Sequence, residues 1–206
     1  MWIKICGMTT AAAVAAAIEA DVDAIGFVFA ESVRHMTPRA AAALARAARA
    51  RVCCVAVTHH PTQRAVDEIV NTFRPDLLQS DAADFAVLRL PAALGRLPVL
   101  RSGEQAPDTL PRRLLFEGPS SGSGSVSDWQ QAGALARHTE LVLAGGLNSS
   151  NVAAAIETVR PFGVDVSSGV EERPGVKSPA EIVKFVLAVR SVDNESRGAI
   201  ATGDST

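Results

Sequence analysis

Apolar residues recur along this chain with two alternating periods. Short runs rich in Val, Ile, Leu and Cys, such as WIKIC at 2–6 and VCCVAVT at 52–58, are followed by longer Ala-rich stretches. In those stretches apolar positions return every three or four residues. The first pattern predicts buried strands and the second amphipathic helices. The predicted strands are WIKIC, DAIGFVF, VCCVAVT, DLLQ, LPVLRS, RLLFE, ELVLAGG and GVDVSSG. Between them fall the helical stretches TTAAAVAAAIEA, TPRAAAALARAARA, PTQRAVDEIVNTF, AADFAVLRL, SDWQQAGALARH, SSNVAAAIETV and SPAEIVKFVLAVRS. Thr9 or Thr10 can cap the first helix, and Thr37 with Pro38 behind it forms a strong start for the second. The segment from Gly103 to Pro111 is too short and too interrupted by proline to read as a helix.

A strand that always alternates with a helix implies the α/β class with a parallel sheet and right-handed crossovers. About eight such units predict a single, compact (β/α)8 TIM barrel over residues 1–192, with one or two degenerate helices. An open doubly wound sheet is the alternative that strand counting leaves standing. The polar, small-residue stretch 193–206 reads as a disordered tail.

Composition narrows the function. The formal net charge is -2, from 20 basic and 22 acidic side chains, with no basic stripe. Nucleic acid is therefore not an expected partner. No apolar run approaches the ~18 residues of a membrane span, and no signal-peptide pattern opens the chain. Three cysteines, two of them adjacent, do not make a disulfide framework. The expectation is a reduced, cytoplasmic protein, monomer or homodimer. No Cys/His cluster has structural-zinc spacing. His59 and His60 are adjacent, which sends two side chains in different directions and argues against a shared metal.

In a (β/α)8 barrel the chemistry collects where strands end. Those ends carry Cys6, the FAESVR loop with Arg34, Gln79, Glu117, the turn Gly145–Gly146, and Asp165 through Ser167, Ser168 and Gly169. Lys4 shares a strand face with Cys6, and a nearby ammonium lowers a thiol's pKa. Asp165 lies in an apolar strand, so it needs a buried partner. Either Lys4 or a substrate N–H could serve, because the first and last strands of a closed barrel are neighbours. Two glycines before a helix start let backbone N–H groups approach an anion, and barrels often bind phosphate after strands seven and eight. Cys53 and Cys54 sit within a strand and read as core.

The motifs KICGMT, GFVFAESVR, LAGGLNSSNV and GVDVSSGVEERPGVK, in this order, resemble phosphoribosylanthranilate isomerases of tryptophan biosynthesis. The resemblance implies a metal-free and cofactor-free barrel. Its Amadori rearrangement converts N-(5-phosphoribosyl)anthranilate into 1-(2-carboxyphenylamino)-1-deoxyribulose 5-phosphate. It implies Cys6 as general base, Arg34 on the anthranilate carboxylate and Asp165 on the bridging nitrogen. It puts the phosphate at Gly145–Gly146 and Ser167–Gly169. Two places depart from the family. QLHG after the fourth strand is here LQSDAAD, which keeps Gln79 and loses the histidine. LLD at the sixth strand, whose aspartate is the general acid, is here LLFEG, so Glu117 falls nearest the lost acid. Asp128 competes for that role but sits where a helix cap belongs. A related phosphosugar isomerase and a degenerate barrel that only binds phosphosugars are the alternatives. The first is disfavoured by the lone cysteine in place of paired aspartates.

Overall fold

The computed structural model describes residues 1–119 and 127–201, with 193–201 as backbone. Eight parallel strands close into a barrel in chain order. They are β1 (Trp2–Cys6), β2 (Ala24–Val28), β3 (Cys53–Val57), β4 (Leu77–Asp81), β5 (Gly95–Arg101), β6 (Arg113–Glu117), β7 (Glu140–Leu143) and β8 (Gly163–Val166). The helices around them are α1 (Ala11–Glu19), α2 (Pro38–Leu44), α3 (Gln63–Thr72), α4 (Asp84–Val87), α5 (Trp129–Ala136), α6 (Val152–Val159) and α7 (Pro179–Ala201). Pairing of β1 with β8 closes the ring and rules out the open sheet. After β8, a short antiparallel pair, β9 (Glu171–Arg173) and β10 (Val176–Lys177), arches back towards the barrel.

The caps fall where side-chain chemistry puts them. Thr10, Thr37 and Thr62 each accept a hydrogen bond from a first-turn N–H of α1, α2 and α3. Asp128 accepts from the N–H groups of both Gln130 and Gln131 and so caps α5. The two expected weak helices are real: α4 is a single short turn, and the β5–β6 connection carries no helix. The second helix ends earlier than its alanine pattern suggests. The chain tightens into a 3-10 turn at Ala45–Ala47 and Ala50 turns left-handed, with φ 69°, to reach β3. The last helix does the opposite. Its backbone continues past Val192 to Ala201, into the stretch expected to form the tail. Residues 202–206 of that expected tail, and the Ser/Gly-rich 120–126, lie outside the described residues.

Alternation along the strands sorts the side chains into two cores. Outward residues such as Ile3, Ile5, Ile25, Leu114 and Leu141 pack under the helices, while Leu97, Val99, Leu115, Val142 and Ala144 form a separate cluster inside β5–β7. The opposite half of the interior is polar, with Lys4 wholly buried on β1 and Asp165 on β8. Gly26 on β2 makes room for this half. A Cβ there would lie 3.0 Å from Cys6 Sγ and 3.3 Å from Lys4 Cε. Gly26→Ala therefore overpacks the interior and should destabilise the protein by about 1–3 kcal/mol. Urea denaturation checks this: the midpoint falls and the slope stays the same, whereas an unchanged midpoint would show that the interior has slack.

Candidate active site

The strand register brings Lys4 and Asp165 side by side, and Lys4 Nζ meets Asp165 Oδ1 at 2.9 Å. This is the partner that a carboxylate in an apolar strand requires. Burial opposes the Lys4 charge, but Asp165 outweighs it and holds the ammonium above its ordinary range. Burial raises the Asp165 carboxyl, with Lys4 pulling the other way. Cys6 sits one pleat above Lys4 on the same face and is 7% exposed. Here the sequence expectation is reversed. Burial is the largest influence and pushes the thiol up, while Lys4 and Lys177 only partly offset it. The ammonium is present as expected, but the dry surroundings win. Cys54 is core, and Cys53 is only half-buried; burial pushes their thiols up to about 11 and about 12 respectively.

A second charged group lies under the same wall. Lys177 on β10 is 2% exposed and donates to the Ser167 carbonyl at 3.0 Å, to Ser167 Oγ at 3.2 Å and to Glu171 Oε1 at 2.7 Å. Glu171 in turn receives a two-pronged bond from Arg34, at 2.7 Å from Nε and 3.0 Å from Nη2. Burial opposes the charge on Glu171, and the bonds from Arg34 and Lys177 more than compensate, holding its carboxyl below the usual range. Arg34 thus grips a carboxylate of its own chain through one edge of its guanidinium. The β9–β10 arch is tied to the loop after β2 by this pair.

The far wall is built by β3 to β6. Glu117 ends β6, and its Oε1 lies 3.3 Å from Arg101 Nε on β5. Arg101 also meets Asp81 Oδ1 at 2.6 Å, so one guanidinium bridges two carboxylates. Asp81 ends β4, which runs two residues past the end of the predicted strand DLLQ. Its Oδ2 is 2.8 Å from His59 Nδ1 and 3.1 Å from His60 Nε2. The argument from adjacency therefore fails for this histidine pair: the rings lie 4.2 Å apart, centre to centre, and converge on one carboxylate. Period-two alternation holds only within a strand. These residues follow the end of β3, and His60 takes a left-handed φ of 45°. Gln79 on β4 is buried, and its Oε1 has no hydrogen-bond partner among the described residues.

Both walls face one cavity of about 860 Å³ at the C-terminal ends of the strands. The candidates read from the sequence line it, except Gly169 and the competing acid Asp128: Cys6, Arg34, Gln79, Glu117, Gly145, Gly146, Asp165, Ser167 and Ser168. Gly145 and Gly146 have φ of 92° and 65°, a turn that L side chains resist. Asn151 Nδ2 donates to the Gly146 carbonyl at 2.9 Å and ties the turn to the start of α6. Gly169 serves behind the cavity, where a Cβ would strike the Leu147 carbonyl oxygen. Its bareness lets the loops after β7 and β8 touch. Asp81, Arg101 and His59 also line the cavity and were not among the sequence candidates. Treating the ends of β3 and β5 like the other strand ends would have found His59 and Arg101. Asp81 was hidden by the polar end of β4.

The fold and the site together define the class: a closed (β/α)8 barrel with a thiol, carboxylates and a double-glycine turn around one cavity at the C-terminal ends of its strands. Comparison with known proteins makes this specific. The sequence profile of N-(5'phosphoribosyl)anthranilate (PRA) isomerase matches residues 3–188. The N-(5'-phosphoribosyl)anthranilate isomerase of Mesorhizobium japonicum is 38% identical, over 94% of this chain and 97% of its own. Among solved structures, TrpF from Jonesia denitrificans is 35% identical with a TM-score of 0.78, covering 94% of this chain and 98% of that one. The phosphoribosyl anthranilate isomerase of Thermus thermophilus superposes with a TM-score of 0.82 at 27% identity, over 93% of this chain and 100% of that one. This chain belongs to the N-(5'-phosphoribosyl)anthranilate isomerase family, isomerases of tryptophan biosynthesis.

The buried ion pair offers a direct test of this wall. Asp165→Asn keeps the shape but leaves the Lys4 ammonium buried without a counter-charge, and should cost about 3–5 kcal/mol. The double variant Lys4→Met/Asp165→Leu removes both charges and should recover most of that loss. Urea denaturation of the three proteins decides it. A wild-type midpoint in Asp165→Asn would mean that Lys4 does not depend on this partner.

Proposed function

We propose that the chain converts N-(5'-phosphoribosyl)anthranilate into 1-(2-carboxyphenylamino)-1-deoxyribulose 5-phosphate, with Cys6 as general base and Glu117 as general acid. The observation that carries this reading is the meeting of Cys6 and Glu117 on one cavity, from β1 and from β6, with the double-glycine turn on its rim. The phosphate fits the Gly145–Gly146 turn and the Ser167–Ser168 backbone, where N–H groups favour an anion. Arg34 keeps the Nη1 edge of its guanidinium for the anthranilate carboxylate while Glu171 holds the other edge. Asp165 serves the bridging nitrogen.

The reaction then needs two proton transfers. Glu117, in its protonated form, gives a proton to the furanose oxygen. The C1'–O bond breaks, and the nitrogen lone pair forms the C1'=N Schiff base. The Cys6 thiolate takes the C2' proton, and the electrons of that bond form C1'=C2' and neutralise the nitrogen. Ketonisation of the enaminol gives the ketose. Proton transfers by placed groups of this kind contribute about 10²–10⁴-fold each. Glutamate is one methylene longer than the family's aspartate, and Arg101 fixes where that longer arm lies.

Steady-state turnover tests the assignment. Glu117→Gln should lose about 10²-fold or more in kcat. Asp128→Asn, which alters only the cap of α5, should keep its activity and lose no more than about 1 kcal/mol of stability. The reverse result would move the acid to Asp128. Binding of phosphoribosylanthranilate without turnover by the intact protein would identify a binding barrel instead. The pH dependence follows from the thiol. Burial raises the Cys6 pKa, so the thiolate grows as pH rises, and the rate of Cys6 alkylation, followed by mass spectrometry, should climb tenfold per unit on the acid side of that pKa. An alkylation rate that is flat from neutral to alkaline pH would contradict a raised thiol.

A further inference from the structure

The geometry points to a divalent transition-metal site at His59, His60 and Asp81, on the rim of the barrel mouth. Three donor atoms converge there: His59 Nδ1, His60 Nε2 and one Asp81 oxygen, all within 4.8 Å of one another. The two nitrogens stand 2.8 and 3.1 Å from Asp81 Oδ2. Bonds of about 2.0–2.2 Å to nitrogen and carboxylate oxygen in a tetrahedral site hold two ligand atoms about 3.4 Å apart. An ion entering between them therefore needs only small side-chain adjustments.

The surroundings support a ligand set and not merely two surface histidines. A ligating histidine usually gives its other ring nitrogen to a carboxylate, which fixes tautomer and orientation. His60 does this: its Nδ1 lies 2.9 Å from Asp84 Oδ1, leaving Nε2 for the ion. Asp84 is itself anchored by Ser80 Oγ and by the His60 backbone N–H. Asp81 is oriented by Arg101 through its other oxygen. The left-handed backbone at His60 is uncommon for a residue with a side chain, and it is what turns both rings to the same side. The rings are exposed, so the remaining coordination positions are open to water. Two imidazoles and one carboxylate suit Zn²⁺, Co²⁺, Ni²⁺ or Cu²⁺, and disfavour Mg²⁺ and Ca²⁺, which prefer oxygen. Arg101 also meets Glu117, so a cation here draws on the carboxylate that anchors the guanidinium beside the proposed acid.

Isothermal titration of the intact, untagged protein with Zn²⁺, paired with the visible spectrum of its Co²⁺ form, tests the site. One equivalent should bind. The double variant His59→Gln/His60→Gln should lose that equivalent. Asp84→Asn, checked for folding by circular dichroism, should weaken binding about 10–100-fold. The Co²⁺ spectrum should lack a sulfur-to-metal charge-transfer band. No saturable equivalent in the wild type, an equivalent that survives the double histidine variant, or a thiolate band that places the ion on a cysteine would each overturn the site.

Discussion

The buried contact between Lys4 and Asp165 is the constraint on which the rest of the site depends. It joins the first strand to the last, so the barrel closes across an ion pair where hydrophobic packing would otherwise do the work. Two charges in a dry interior stabilise little in themselves, but neither can leave its partner without a large cost. That fixes the register of β1 against β8. Register fixes which side chains face inward, because a slip of one residue would turn every one of them outward. Cys6 and the loops after β1 and β8 are placed by this single alignment. Lys177, Glu171 and Arg34 continue the chain of charge from there to the loop after β2.

The two walls of the cavity are built on different physics. On the β8–β1–β2 side the charged groups are deeply buried and arranged in fixed pairs, and the thiol shares their dry setting. On the β3–β6 side the charges stand nearer water, and one guanidinium holds two carboxylates apart at the cavity's edge. A histidine is absent from the expected place after Gln79. His59 nevertheless reaches the same end of β4 from the neighbouring strand. The residues at the two departures from the family's motifs, at β4 and β6, are thus physically linked through Asp81 and Arg101.

Much of this was legible in the linear sequence. Alternation of period-two and period-3.6 runs gave the barrel, because each unit must bury one face. Strand ends gave Cys6, Glu117 and Asp165, and closure made Lys4 one of two readable partners for Asp165, beside a substrate N–H. What was hidden has a common cause: it depends on neighbours supplied by other strands. Ser80 and Asp81 look like a loop until Arg101, His59 and Asp84 are seen to satisfy them. Lys4 next to Cys6 suggested an easily ionised thiol, but the degree of burial that reverses this is a property of the closed interior. The convergence of His59 and His60 rests on one left-handed residue beyond a strand end, where alternation no longer applies.

The proposed isomerisation turns on removal of the C2' proton by Cys6 within this closed cavity. Single-turnover conversion of phosphoribosylanthranilate by Cys6→Ala, run beside binding of a reduced product analogue to the same protein, tests that step. The analogue should still bind while product formation is lost. Product formation at the wild-type rate would rule out Cys6 as the base.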